Sequence, residues 1–542
     1  MKNYSVGVDF GTLSARAVLA DTETGEVIAE SVFEYPHGVM DSALPSGKKV
    51  DKNSAYQHPQ DYIDALSFTV KDIINKSSVD SSQICGIGID FTSCTVLPLD
   101  ENCMPMCFLK EFEDECHAYV KLWKHHSAQK EADEFTEKAI ENGEKWLENY
   151  GGKVSSEWLF PKITETLRSS PELYKRTAYF AEAGDWLSGL LCGCEVRSSC
   201  MAGYKGMWSK KDGYPSKEFL GKIEPELSDI VGSKISENIK PTGTLAGRIN
   251  SYGAALTGLK EGTAVSVPII DAHAALISAG IVRGGELMII IGTSSCHIIL
   301  DKEEKSVKGI CGVVRDGIIP SYAAYEGGQS CVGDTFDWFV NNCLPSSYIE
   351  EAKKEGKSKF EYIKEKAAKL SAGESHLLAL DWWNGNRTPL ADYDLTGAIF
   401  GFTLKTRPEE IYRALIEATA YGTKAITELY TESGVAVEKI YATGGISMKD
   451  ELLMQIYADV LGKEICVPQS SQAGALGSAI YAACAGGAFD SFEDAAEKMA
   501  IKNVKRYTPI KENTAIYEKL YKSYKELTDY FGRGGNGILK SL

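Results

Sequence analysis

Two segments half a chain apart share one pattern. In VGVDFGTLSARAVLAD (6–21) and LMIIIGTSSCHIILD (287–301) an apolar run meets a Gly-Thr turn and a second apolar run returns, with Gly11-Thr12 aligned on Gly292-Thr293. Such spacing predicts a β-hairpin, glycine supplying the backbone angles of the turn. Chance and internal duplication both account for the echo. If the chain is duplicated, each half opens its sheet with a turn rich in N–H groups and hydroxyls, suited to surrounding phosphate oxygens.

At 542 residues the chain exceeds what one core serves, since cores stop growing near roughly 250 to 300 residues. Other segments repeat an α/β pattern. Residues 84–100 read as strand, turn, strand, and 263–281 as a strand running into a helix. Residues 439–462 read as a strand, a Gly-Gly turn and a helix with Ser447 and Asp450 as capping box. A helix from Thr406, capped with Glu409, runs to about Glu432, and residues 115–150 have a charged helical pattern. The second strand series sets the expected boundary: domains at 1–258 and 259–485, with a helical tail over 486–542.

A net charge of -17, with signs mixed along the chain, disfavours nucleic acid and anionic membranes. The longest apolar stretches, such as LMIII, fall far short of the roughly 20 residues needed to span a bilayer. MKNYSVGVDF lacks the pattern of a signal peptide, so a cytoplasmic protein is expected. The 14 cysteines lie in apolar or mixed runs and are expected to be reduced, buried thiols.

Three places could carry chemistry. Asp9, ending the first strand, either caps its own turn or holds Mg2+ through water, an oxygen-loving ion. Asp271 lies between the strand VSVPII and the helix AHAALISAGI. It serves there either as helix N-cap or as an acceptor of a hydroxyl proton, because ligands bind at the carboxyl ends of strands in open α/β sheets. His273 either packs or partners Asp271. Gly444-Gly445 is either an ordinary turn or a close approach to a flat ligand such as adenosine. There is no Walker A sequence.

DFGTLSAR, SVPIIDAHAA, IGTSSCH and GGISMKDELLMQI, in this order, resemble the FGGY family of carbohydrate kinases. DFTSCTVLP, EAGDW, AGYKGMW, YEGGQSCVGD, LDWWNGNRTPL and TRPEEIYRALIEATAYGT are similar to the branch that phosphorylates L-ribulose. The resemblance implies a duplicated ribonuclease H-like (actin-like) α/β fold and ATP-dependent phosphorylation of the 5-hydroxyl of L-ribulose in arabinose breakdown. It also implies roles. Asp271 would be the general base, Asp9 the magnesium-water ligand, and Gly11, Thr12, Ser14 and Arg16 the first phosphate loop. Gly292, Thr293 and Ser294 would form the second loop, Gly444 and Gly445 the adenosine motif, and Ser93, Lys205 and Glu326 the sugar contacts.

Ala272 follows Asp271 where glycerol and xylulose kinases often carry an amide, and Asp450 follows Lys449 where Asn is common. The alternatives are a kinase for another ketopentose or polyol (D-ribulose, ribitol, L-xylulose) and, remotely, an actin-like assembly protein. The expected partners are the sugar and MgATP. A homodimer is the default assembly, symmetric dimers being the commonest oligomers.

Overall fold

The computed structural model describes residues 4–541. Two seven-stranded mixed sheets dominate it. In the first, Tyr4–Phe10 pairs antiparallel with Ser14–Asp21, which pairs antiparallel with Val27–Glu34. On its other side Tyr4–Phe10 runs parallel to Ile84–Phe91, which runs parallel to Ala264–Ser266 and Ile269–Ile270. The second sheet repeats the scheme. Glu286–Ile291 pairs antiparallel with Ser295–Asp301, and that strand with Ala323–Gln329. Lys439–Thr443 and Ile465–Pro468 continue in parallel on the other side. The echo seen in the sequence is therefore a duplication of topology, the duplicated ribonuclease H-like α/β fold.

Strand composition explains how the layers meet. On Tyr4–Phe10 and Ile84–Phe91, Gly7 and Gly88 are register partners, and a Cβ at either would fall within 2.2 Å of backbone oxygens of Ala475 or Ser478. The helix Ala473–Ala485 thus lies directly on the first sheet, with Ala475, Leu476, Ala479, Ile480 and Ala483 in its core. The same helix crosses Asp271–Ser278 so closely that a Cβ on Gly477 would sit 1.9 Å from the Ala274 carbonyl oxygen. The second sheet packs instead on Pro408–Glu432 and Glu451–Leu461, and Lys511–Gly532 covers the latter helix.

Several expectations need correction. The boundary near 258 falls too early, because the strands up to Ile270 hydrogen-bond into the first sheet and the second sheet starts at Glu286. The segment after 485 is not purely helical: Val504–Tyr507 is an edge strand of the second sheet, and Tyr517, Tyr521 and Tyr524 bury the final long helix in its core. Val96–Leu99 leaves the first sheet for a small four-stranded one with Tyr56–Gln57, Val120–Lys121 and Tyr179–Glu182. The charged stretch after 115 holds one regular helix, Gln129–Asn142, among short turns.

Both capping boxes shift. Asp450 itself caps Glu451–Leu461, accepting from Leu453 N at 3.1 Å, while Ser447 Oγ donates to Gly444 O. At the other helix Glu410, not Glu409, accepts from the Arg407 N–H at 2.6 Å, and Thr406 Oγ1 accepts from Thr403 N. All 14 cysteines are free thiols, but Cys103, Cys194 and Cys343 are exposed. Among the described residues no helix is long and apolar enough to cross a membrane.

Gly477→Ala should lower the unfolding free energy by about 1 to 3 kcal/mol, the usual cost of forcing extra atoms into a closed contact. Urea unfolding checks this, and an unchanged midpoint would mean that the two helices separate without cost.

Candidate active site

Asp9 and Asp90 are register partners at the ends of adjacent parallel strands. Both carboxylates lie against the first turn of Ala473–Ala485: a Cβ on Gly474 would be 3.2 Å from Asp9 Oδ2 and 3.6 Å from Asp90 Oδ1. Ser478 Oγ donates to Asp90 Oδ2 at 2.6 Å, whereas Asp90 Oδ1 is buried with no hydrogen-bond partner. Burial, and then the charge of Asp9, push the Asp90 carboxyl well up. Burial also raises Asp9, against the pull of Asp90 and of Arg16, whose Nη1 is 4.0 Å away. Two facing carboxylates with an orphaned oxygen and only one distant cation are a hard-oxygen donor set, which fits Mg2+.

Asp271 is the first residue of its helix rather than the N-cap, which is Ile270. Its Oδ1 accepts from Ala272 N at 2.7 Å. Burial first, and Asp9 second, push its pKa to about 7, against the Ala272 N–H and Lys205. A carboxyl poised near neutrality at the end of a strand is suited to accept a proton from a hydroxyl.

Glu326 and Lys205 face each other across the two halves, Oε1 to Nζ 3.6 Å. Glu326 Oε2 is 2.8 Å from His273 Nε2, and His273 Nδ1 is 3.1 Å from Cys200 Sγ. His273 thus partners Glu326, not Asp271. Burial opposes the charge on Glu326, but Lys205 and the His273 hydrogen bond outweigh it and hold the carboxyl well below its usual range. Lys205 is likewise held charged, Glu326 overcoming the effect of burial. Ser93 sits in the turn after Ile84–Phe91, next to Cys94, on which Lys205 also acts electrostatically. The site thus joins Asp9, Asp271, Lys205, Glu326 and the Ser93 turn.

The glycine turns occupy two places. Gly11 N donates to Ser14 O at 3.0 Å, Thr12 Oγ1 accepts from Trp123 Nε1, and Arg16 is largely exposed. Gly292 N donates to Ser294 O at 2.9 Å, leaving Thr293 exposed at the tip. Gly444, at φ 102°, passes so close to the end of Glu286–Ile291 that a Cβ would be 2.3 Å from Ile291 O, while one on Gly445 would meet nothing within 4 Å. The positive φ and the close approach both require glycine.

Sequence reasoning missed three participants. Asp90 was signalled by the repeat of Asp-Phe before a turn, VDFG and IDFT. Lys162, fully buried, donates to Cys94 O at 2.5 Å and Leu122 O at 2.6 Å, so it pins the Ser93 turn; a lysine in a helix gives no such signal. Gly333 opens the helix Gly333–Asn342 against the second loop, its N–H donating to Gly292 O at 3.0 Å.

Known proteins resemble the chain along its length. Residues 4–278 match the N-terminal domain, and residues 287–486 the C-terminal domain, described for the FGGY family of carbohydrate kinases. The chain is 49% identical over 535 residues to a protein named ribulokinase from Bacillus licheniformis, covering 98% of this chain and 97% of that one. It is 43% identical over 540 residues to a ribulokinase of Staphylococcus aureus strain Newman, covering 100% and 98%. Among solved structures, a gluconate kinase from Lactobacillus acidophilus matches with a TM-score of 0.79 at 18% identity over 98% of both chains. A xylulose kinase from Rhodospirillum rubrum matches at 0.77 and 21%, over 97% and 98%. At those identities the structural likeness concerns the fold.

With its ordinary value at 3.8 and its folded value near 7, the Asp271 carboxyl keeps in the folded chain a proton that the unfolded chain releases. Its contribution to stability is therefore complete below pH 4 and is lost as pH rises through 7. Asparagine does not titrate, so the stability of Asp271→Asn relative to the parent should rise by about 1 to 3 kcal/mol between pH 5 and pH 8. Urea unfolding at both pH values reads the difference; a constant gap would mean that Asp271 titrates like an exposed carboxylate.

Proposed function

The chain belongs to the FGGY family of carbohydrate kinases, and on that premise we propose that it transfers the γ-phosphoryl group of ATP to the 5-hydroxyl of L-ribulose. The observation that carries this reading is Asp271, a carboxyl with a pKa near 7 in electrostatic reach of the Lys205–Glu326 pair. The relatives named ribulokinase, at 43% to 49% identity over nearly the whole chain, support L-ribulose as the acceptor.

The roles follow from charge and donor type. Lys205 donates to sugar oxygens and Glu326 accepts from sugar hydroxyls, both held ionised by each other, with His273 fixing the carboxylate. Ser93 adds a hydroxyl from the turn after Ile84–Phe91. Asp271 takes the proton of the attacking hydroxyl, and its near-neutral pKa keeps it both ionised and basic enough at working pH. The loops Gly11–Ser14 and Gly292–Ser294 offer N–H groups and hydroxyls to the phosphates, and Gly444-Gly445 admits the adenosine. Asp9, backed by Asp90, would hold magnesium, which when bound neutralises phosphate charge. Phosphoryl transfer asks for little more than alignment and charge neutralisation.

An ADP-release assay with MgATP against L-ribulose, D-ribulose, L-xylulose, ribitol and glycerol tests the reading. The highest kcat/KM is expected for L-ribulose; preference for another acceptor would overturn the substrate, and release with none would move the weight to an unusual sugar or to an actin-like assembly protein. Asp271→Asn should cut turnover roughly 100-fold or more while leaving the KM for ATP nearly unchanged. Thr293→Val should weaken ATP binding by about 0.5 to 1.5 kcal/mol, a typical net hydrogen bond, read by nucleotide titration. Equal affinity in mutant and parent would remove the second loop from the site.

A further inference from the structure

The stretch LDWWNGNRTPL resembles the family, yet none of its residues has a part in the chemistry above. It forms the loop after the short strand Leu378–Leu380, and its backbone is tied down on both sides of Arg387. On one side Asn386 and Asp392 exchange two backbone hydrogen bonds of 2.8 Å, and Asn386 Oδ1 accepts from Leu390 N at 3.0 Å. On the other, Thr388 Oγ1 accepts from Gly328 N at 3.2 Å and lies 3.5 Å from Cys311 Sγ. The loop is thus fastened to Ala323–Gln329, the strand that carries Glu326.

Arg387 itself is fastened to nothing. Its Nη1 lies 3.6 Å from where a Cβ on Gly328 would be, on the sheet face that also carries Glu326. Its guanidinium is within electrostatic reach of Cys296, Cys311, Tyr393, Glu157 and Glu326. Lys205 acts on Cys311 and Glu157 as well, so the two cations share neighbours, Lys205 from the first half and Arg387 from the second. Lys205 is paired with Glu326, whereas Arg387 makes no hydrogen bond or ion pair with any described residue. A half-buried cation with five N–H donors, aimed by a fixed loop, is costly to leave without acceptors.

We propose that Arg387 is a further substrate-binding residue, resting on the kinase reading above: its guanidinium donates to adjacent oxygens of the bound sugar other than the hydroxyl that receives the phosphoryl group. Two neighbouring oxygens of a keto sugar or polyol match the forked geometry of a guanidinium, which a lysine ammonium cannot reproduce. The pocket then reads the sugar with donors from both halves, so an acceptor seated in it ties them together.

The test is steady-state kinetics of Arg387→Met and Arg387→Lys with MgATP and whichever acceptor the parent enzyme prefers. A parent preference for a different sugar would refute L-ribulose without touching this inference. In Arg387→Met the KM for the sugar should rise roughly 10- to 100-fold, the scale of hydrogen bonds to a charged group, while the KM for MgATP stays within about twofold. Arg387→Lys should recover only part of the loss. An unchanged sugar KM would overturn the proposal. So would a loss confined to kcat or to the KM for MgATP, which would assign the guanidinium to the phosphoryl group. Should Arg387→Met not fold, saturation-transfer NMR of the sugar on parent and Arg387→Lys takes its place: equal binding overturns the proposal, weaker binding supports it.

Discussion

The contact between Asp271–Ser278 and Ala473–Ala485, with no side chain between Gly477 and the Ala274 carbonyl, fixes more of this molecule than any other. One of these helices begins with Asp271. The other begins beside Asp9 and Asp90 and reaches Asp90 through Ser478. The distance between Asp271 and the carboxylate pair is therefore set by a backbone-to-backbone contact, which is stiffer than one made by side chains.

The electrostatics follow from this placement. Three carboxylates, Asp9, Asp90 and Asp271, are crowded into a buried region with little positive charge, and each is pushed toward its protonated form. A few residues away the balance reverses: Lys205 and Glu326 keep each other ionised, and Arg387 adds a second cation. One end of the cleft is thus short of cations and the other is supplied with them.

Local features were legible in the sequence. The two hairpins, the strand ending at Asp271 and the Gly-Gly turn rest on alternation and on backbone angles set within a few residues, so each was read from its own stretch. One capping box slipped by one residue and the other by three, because several polar residues competed for the same helix end. What could not be read depends on partners far along the chain. Nothing near residue 475 says that its helix belongs on the first sheet, and nothing near 505 marks an edge strand of the second. Lys162 matters through residues brought to it by folding, and the boundary near 258 failed because strands are assigned to sheets by their hydrogen bonds.

The helix Ala473–Ala485 also bears on how the chain is made. The glycine-lined face of the first sheet is covered by a segment that leaves the ribosome only after most of the second half has been synthesised. At ordinary synthesis rates this leaves Gly7, Val18, Gly86 and Gly88 without their cover for roughly 10 to 40 s. The first half cannot complete its core as an independent unit in that interval, so its exposed sheet is where chaperones would find their work on the nascent chain.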